Sequence, residues 1–416
     1  MMILYICIVF ILGGVSSSHA AILANGTTPQ WTFNSGEADT VYSLTQGNHP
    51  YIIDFLTEYG VAAWPPSHAT KYRYWGTFTT TGACWIEGQE MRESAFLMVS
   101  DDGQTWVAPP GANGYGDLEI STDADCPSPN RADSFLIYDP YNGGGDGRVI
   151  VGYSKENQYH YYAYRVVSAD WSVSAETVVN GGYKTCLAPS VVIESDNLWH
   201  MWYLQSHQTH PTEHAEGYDT PQIWHTTSAN QGGTWATPQI CSVDVMQTAY
   251  GSTGQKHPWH MEARLNQFMP GVVELAISLA SDTNLTLTDG MPTNGWIGMP
   301  LAHARTTLAR PMLITTPLAP EMLVEPTEDY NDWDGDFIYK ASGIPYVSAN
   351  QLGLKLWYQG NTWENTYPFE EISESYIMYT SGLIGLPLII SQDLSDNLLT
   401  IYDLSGGILT WMPFSQ

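Results

Sequence analysis

Leu187-Ala188-Pro189-Ser190-Val191-Val192-Ile193, answered by Trp199-His200-Met201-Trp202-Tyr203, is the stretch on which the fold turns. A small or polar start leads into an apolar strand. A short turn follows, and the second strand ends in an aromatic pair. Phe337-Ile338-Tyr339-Lys340 and Leu354-Lys355-Leu356-Trp357-Tyr358 repeat the pattern. Similar openings stand at His49-Pro50-Tyr51-Ile52-Ile53, at Asp133-Ser134-Phe135-Leu136-Ile137-Tyr138 and at His257-Pro258-Trp259-His260-Met261-Glu262. Five hairpin starts along one chain predict an all-β, five-bladed propeller. Such a ring gathers the first strand of every blade around one axis, where a site can be built.

The spacing of the starts is uneven, so the blades share a hairpin core and differ in their loops. Arg148-Val149-Ile150-Val151-Gly152-Tyr153 is expected to pair back on the strand from Asp133 across Gly143–Gly147. Ser100-Asp101-Asp102-Gly103-Gln104-Thr105-Trp106 and Ser228-Ala229-Asn230-Gln231-Gly232-Gly233-Thr234-Trp235 share a Ser, Gly, Thr-Trp order. The second is similar to the Asp-box of sialidase-type propellers, with Asn for Asp. In both, the Asp or Asn side chain is expected to close the turn and the Trp to pack between strands. Leu386-Pro387-Leu388-Ile389-Ile390 and Leu398-Leu399-Thr400-Ile401-Tyr402 read as closing strands of one propeller domain over 21–416.

The chain has 416 residues, with 14 basic against 43 acidic and a net charge of −29. That balance repels nucleic acid and anionic membranes and suits a neutral or cationic ligand. Residues 3–14 are apolar and lead to Ser18-His19-Ala20, which reads as a signal peptide over 1–20 and predicts a secreted protein. No later segment is long and apolar enough to cross a bilayer, so stable membrane insertion is not expected. Four cysteines follow the signal, Cys84, Cys126, Cys186 and Cys241, enough for two disulfides in any of three pairings. Asn25-Gly26-Thr27 and Asn284-Leu285-Thr286 are glycosylation sequons.

Several pieces carry a resemblance: Asn48-His49-Pro50-Tyr51-Ile52, Tyr72-Arg73-Tyr74-Trp75, Ala132-Asp133-Ser134, Ala188-Pro189-Ser190 with Met201-Trp202-Tyr203, Trp259-His260-Met261-Glu262, and Ile338-Tyr339-Lys340 with Leu356-Trp357-Tyr358. In this order the sequence resembles the five-bladed propeller glycosidases grouped around glycoside hydrolase family 43. It is closer still to related secreted or phage-borne propellers of uncertain activity. The resemblance implies a carbohydrate substrate or ligand and three acidic residues on successive inner strands. Asp133 matches the second of these. His49 stands where the family has the Asp of an Asp-Pro pair, and Leu187 stands near its Glu.

A substitute set is available on the residues themselves. Glu262 is the candidate acid and Asp133 the candidate base or orienting carboxylate, since glycoside hydrolysis needs both functions. His49 is the third candidate catalytic group, because a histidine exchanges protons near neutral pH. His260, Arg73, Trp75, Trp259 and Lys340 are candidate sugar contacts. Trp75 and Trp259 are the aromatics expected to be exposed near the axis, where a ring can stack on a pyranose.

No cofactor is expected. His210-Pro211-Thr212-Glu213-His214 has the spacing of inverted zinc peptidases, but Pro211 opposes the helix that chemistry needs, so no metal ligand is assigned. Asp332-Trp333-Asp334-Gly335-Asp336 offers oxygen ligands for calcium but lacks the downstream Glu of an EF-hand. The resemblance adds His260 as a third place for an ion. The function expected is therefore a glycoside hydrolase acting on a poly- or oligosaccharide, with a non-catalytic carbohydrate-binding, attachment or structural propeller as the alternative.

Overall fold

The computed structural model describes residues 23, 30–32, 47–81, 93–111, 131–155, 161–179, 187–205, 222–243, 256–281, 287–288, 291–292, 301–315, 322–324, 337–348, 351–362, 374–387, 389–393, 398–402 and 408–413. The signal segment, both sequons, His210–His214 and Asp332–Asp336 lie outside them, as do Cys84, Cys126 and Cys186.

Five antiparallel sheets form the ring. Their innermost strands are Gly47–Asp54, Arg131–Asp139, Leu187–Ser195, Lys256–Leu265 and Phe337–Ser348, and each pairs with the next strand in sequence. Each innermost strand also packs on that of the following blade, and the fifth packs on the first. The chain is therefore a five-bladed β-propeller, as the hairpin starts predict. Arg148–Lys155 pairs back on Arg131–Asp139 across the glycine-rich turn.

The aromatic pairs show why this ring holds. Successive side chains on a strand point to opposite faces. Tyr203 packs with the first and second blades, and its neighbour Trp202 packs with the fourth. In the fifth blade, Tyr358 faces the fourth and Trp357 faces the first. All four rings are buried. A propeller blade is covered on both faces, so both members of each pair serve the core. That is also why the inner strands read as continuous apolar runs such as Val191-Val192.

The two Ser-to-Trp turns close as expected. Asp102 accepts backbone hydrogen bonds from Gln104 and Thr105 at 2.8 and 2.6 Å, and Asn230 accepts one from Thr234 at 2.8 Å. Gly103 lies at φ +76°, which a side chain would strain. Its carbonyl accepts the indole N–H of Trp106 at 3.1 Å and that of Trp357 at 2.9 Å, tying the first blade to the fifth.

Gln30–Thr32 pairs in parallel with Thr105–Val107 on the outside of the first blade. Ile389–Asp393, Leu398–Tyr402 and Ile408–Pro413 form a three-stranded sheet of their own, and among the described residues none of them pairs with a blade. The strand that completes the fifth blade is Glu374–Pro387. Cys241 is a buried free thiol, pushed up to about 12 by burial. Its possible partners Cys84, Cys126 and Cys186 lie outside the described residues.

The fourth blade carries a buried ion cluster. Glu274 accepts from Arg305 Nε at 2.8 and 3.0 Å and from Asn266 at 2.6 Å, and His303 Nε2 lies 2.7 Å away. Burial pushes its carboxyl up, but the Arg305 charge and the His303 contact overcome this and hold it at about 2, below the ordinary 4.5. A depressed carboxyl stabilises the fold above the unfolded value and loses that contribution as pH falls through the folded one. Glu274→Gln is therefore expected to cost about 3 kcal/mol at pH 7. In urea denaturation the difference from wild type should shrink as pH is lowered from 4.5 toward 2.

Candidate functional site

Each innermost strand carries a bulge near its start, between Asn48 and Tyr51, Ala132 and Phe135, Leu187 and Ser190, Pro258 and His260, and Tyr339 and Ala341. A bulge re-aims a side chain and recurs beside functional sites. In four blades the bulged residue has a positive φ: His49 at 55°, Asp133 at 50°, Ala188 at 46° and Lys340 at 36°. The left-handed region is costly for residues other than glycine, so the same strained device in four blades marks this end of the axis.

The bulges carry Asp133, His49 and Lys340 to the axis, where His260, the first paired residue after the fourth blade's bulge, joins them. Lys340 Nζ donates to Asp133 Oδ1 at 2.5 Å and also contacts His49 Nδ1. Asp133 Oδ2 accepts the backbone N–H of Ala188 at 3.1 Å. His49 Nδ1 and His260 Nδ1 lie 3.3 and 3.7 Å from Asp133 Oδ1. The two imidazoles are 5.4 Å apart between centroids. The His49 backbone donates to Gln359 Oε1 at 3.3 Å. All four side chains are buried around a cavity of about 30 Å³, which is room for a water molecule. Burial pushes the Lys340 ammonium and the His260 imidazolium well below their usual ranges.

In the third blade the residue at the bulge is Ala188, one position beyond Leu187. A bulge inserts a residue that strand alternation does not count, which is why the sequence places the wrong neighbour there.

Glu262 lies one tier further along the fourth inner strand. Its Oε1 accepts from Arg264 Nε at 2.9 Å, Arg264 Nη2 at 2.6 Å and Ser342 Oγ at 2.9 Å, and its Oε2 accepts from the Gly343 backbone at 2.6 Å. Arg264 Nη1 donates to Glu58 Oε2 at 2.7 Å. The guanidinium also lies 4.6 Å from the centre of the Tyr51 ring. Burial raises the carboxyls of both Glu262 and Glu58 against the opposing charge of Arg264. This triad joins blades one, four and five beneath the axial cluster. The sequence reading missed both partners of Glu262's network: Arg264 stands two residues along the same strand face, a spacing that could have marked it, whereas Glu58 comes from a helix, Phe55–Tyr59, that only the fold brings near.

Arg73 and Trp75 are not part of this group. Arg73 makes a bidentate pair with Asp54, both contacts at 2.8 Å, at the far end of the first inner strand. Asp54 also caps the Phe55–Tyr59 helix and accepts from Lys355 at 2.8 Å. Trp75 is fully buried, stacked on Trp171 at 4.9 Å and edge-on to Trp64. The expected exposure of Trp75 near the axis is corrected accordingly: its strand position faces the second blade. The side chain of Trp259 lies outside the described residues.

No protein-family model matches the chain, and no curated protein matches it. Among solved structures, an N-acetylgalactosamine deacetylase from F. plautii, in complex with blood group B trisaccharide, aligns with a TM-score of 0.61 at 15% identity over 88% of this chain and 96% of that one. A GH43_1 enzyme from Xanthomonas citri complexed with xylotriose aligns with a TM-score of 0.42 at 10% identity over 95% of each chain. The GH93 α-L-arabinofuranosidase of Fusarium graminearum with arabinobiose gives 0.40 at 11% identity, over 92% of this chain and 93% of that one. At 15% identity the first likeness, which spans nearly all of both chains, is one of fold.

Proposed function

We propose that this propeller is carbohydrate-active and engages an oligo- or polysaccharide at the axial cluster around Asp133. The observation that carries the reading is the convergence of four polar side chains from four inner strands: Asp133, His49 and Lys340 on equivalent positive-φ bulges, and His260 directly after the bulge of the fourth. Carboxylate, imidazole and amine groups at one end of an axis suit a ligand dense in hydroxyls. The bound trisaccharide in the deacetylase of similar fold makes an oligosaccharide the first ligand class to test.

Within that reading, hydrolysis would use Asp133 as base or orienting carboxylate, with His49 beside it. Glu262 has the raised pKa that a proton donor requires, yet four donors engage its two oxygens. Its role on this reading is to hold the fourth and fifth blades in register under the site. Binding without cleavage is the second reading. It is favoured by Ala188, an apolar side chain at the third bulge, and by the engagement of Glu262.

A glycan-array screen with product analysis on the same sugars separates the two. Retention with new reducing ends supports hydrolysis, and retention of intact sugar supports binding alone. If no neutral glycan is either retained or cleaved, the carbohydrate reading fails.

A further inference from the structure

The opposite mouth of the axis holds a larger cavity, of about 340 Å³, between the far ends of the first four inner strands. That is the size of a small-molecule site. Ile53, Ile137, Val192 and Leu265 supply apolar wall. Tyr59, Tyr138 and Tyr141 supply aromatic wall, with Tyr59 and Tyr138 edge to face at 4.8 Å. Tyr141 is 53% exposed, at the rim. The Tyr51–Ser190 contact at 3.2 Å and the Glu262–Ser342 contact lie between this cavity and the axial cluster.

The charges in and beside the cavity decide what it can take. Glu58 and Arg264 line it, and Glu262 stands behind Arg264. Two carboxyl groups face one guanidinium, so the triad is neutral with one of them protonated and carries one negative charge in excess when both are ionised. Each of the three Arg264 nitrogens already donates to Glu58, Glu262 or Ser342, so the guanidinium has little to offer an anion. Glu194, its side chain 40% exposed at the rim and 2.8 Å from His200 Nε2, adds a third carboxyl group. A bare metal ion is poorly served by aliphatic walls, and among the described residues no group of three or more metal-ligating side chains occurs. Negative charge, aromatic faces and aliphatic walls together suit a cation with apolar substituents, because ring faces attract cations most when water is excluded.

We propose that this cavity is a second ligand site, separate from the axial cluster, for a small organic ammonium ion. The inference does not rest on the carbohydrate reading.

The test is titration calorimetry on the full chain with choline, its neutral isostere 3,3-dimethyl-1-butanol, and acetate. Choline should bind saturably at one site per chain. The isostere should bind at least about tenfold more weakly, and acetate should give no saturable heat. Tyr141→Ala, a rim change that leaves the core intact, should weaken choline by about threefold to tenfold. It should leave any glycan response unchanged. Glu58→Gln should weaken choline further, and if that variant fails to fold, Tyr141→Ala and Glu194→Gln still decide. Asp133→Asn should leave choline binding as in wild type. Absence of saturable choline binding, equal binding of the isostere, or indifference to both rim variants would overturn the proposal.

Discussion

Asp133→Asn is expected to lower turnover of a responsive glycan by about 10²- to 10⁴-fold, the range lost when a general base is removed. Asn keeps the shape of the side chain and one acceptor oxygen for the Ala188 N–H. It removes the charge that Lys340, His49 and His260 surround. Burial already pushes the Lys340 ammonium down, and removing its carboxylate partner takes away the charge that opposes that shift. The whole cluster is therefore altered by one atom exchange. If the site binds without cleaving, the same substitution should reduce affinity by about tenfold or more, the loss of a hydrogen bond to a charged group. Urea denaturation of the variant separates a site effect from unfolding. Unchanged turnover together with unchanged affinity would remove Asp133 from the site.

Arg264→Ala is the second large effect, on stability. Removing one partner of a buried ion pair leaves an uncompensated charge and costs about 3–5 kcal/mol. Here it leaves two, since Glu58 and Glu262 both rely on this guanidinium. The sign of the pH dependence follows from their carboxyls, which burial raises above 4.5 in the fold. Folded groups with raised values bind protons that the unfolded chain has released, so stability falls as pH rises above the unfolded value. The deficit of Arg264→Ala should therefore be largest at neutral pH and shrink as pH is lowered toward 4.5. Combining Arg264→Met with Glu58→Gln and Glu262→Gln should recover much of the loss, because neutral groups of similar volume carry no desolvated charge. A deficit that is constant with pH would show that lost packing, and not charge, dominates.

The repeat that begins at Leu187 was legible because it is local. Strand alternation, turn residues and aromatic pairs act over a few positions, and the two Ser-to-Trp turns close through side chains two to four residues apart. His49, Asp133, His260 and Lys340 stood out for the same reason, as polar residues at the starts of apolar strands. Trp75 illustrates the limit. It alternates like a residue that faces a ligand, but the second blade covers that face. The helix residue Glu58 carried no signal at all, since its partner Arg264 lies 206 positions away.

What the sequence by itself determined is the scaffold: an all-β chain of five hairpin starts, with aromatic pairs ending second strands; that both rings of each pair are covered came from the packing of the blades. What only the tertiary structure decided is which side chains share the axis. The bulges move the third blade's contribution from Leu187 to Ala188, and ring closure brings Lys340 to Asp133 across 207 positions. It also commits Glu262 to Arg264 and opens the aromatic cavity at the opposite mouth. The physical reason is that hydrogen-bonded strands are written in local periodicity. Charge pairing at the axis depends on how five separately encoded strands are packed around a common line.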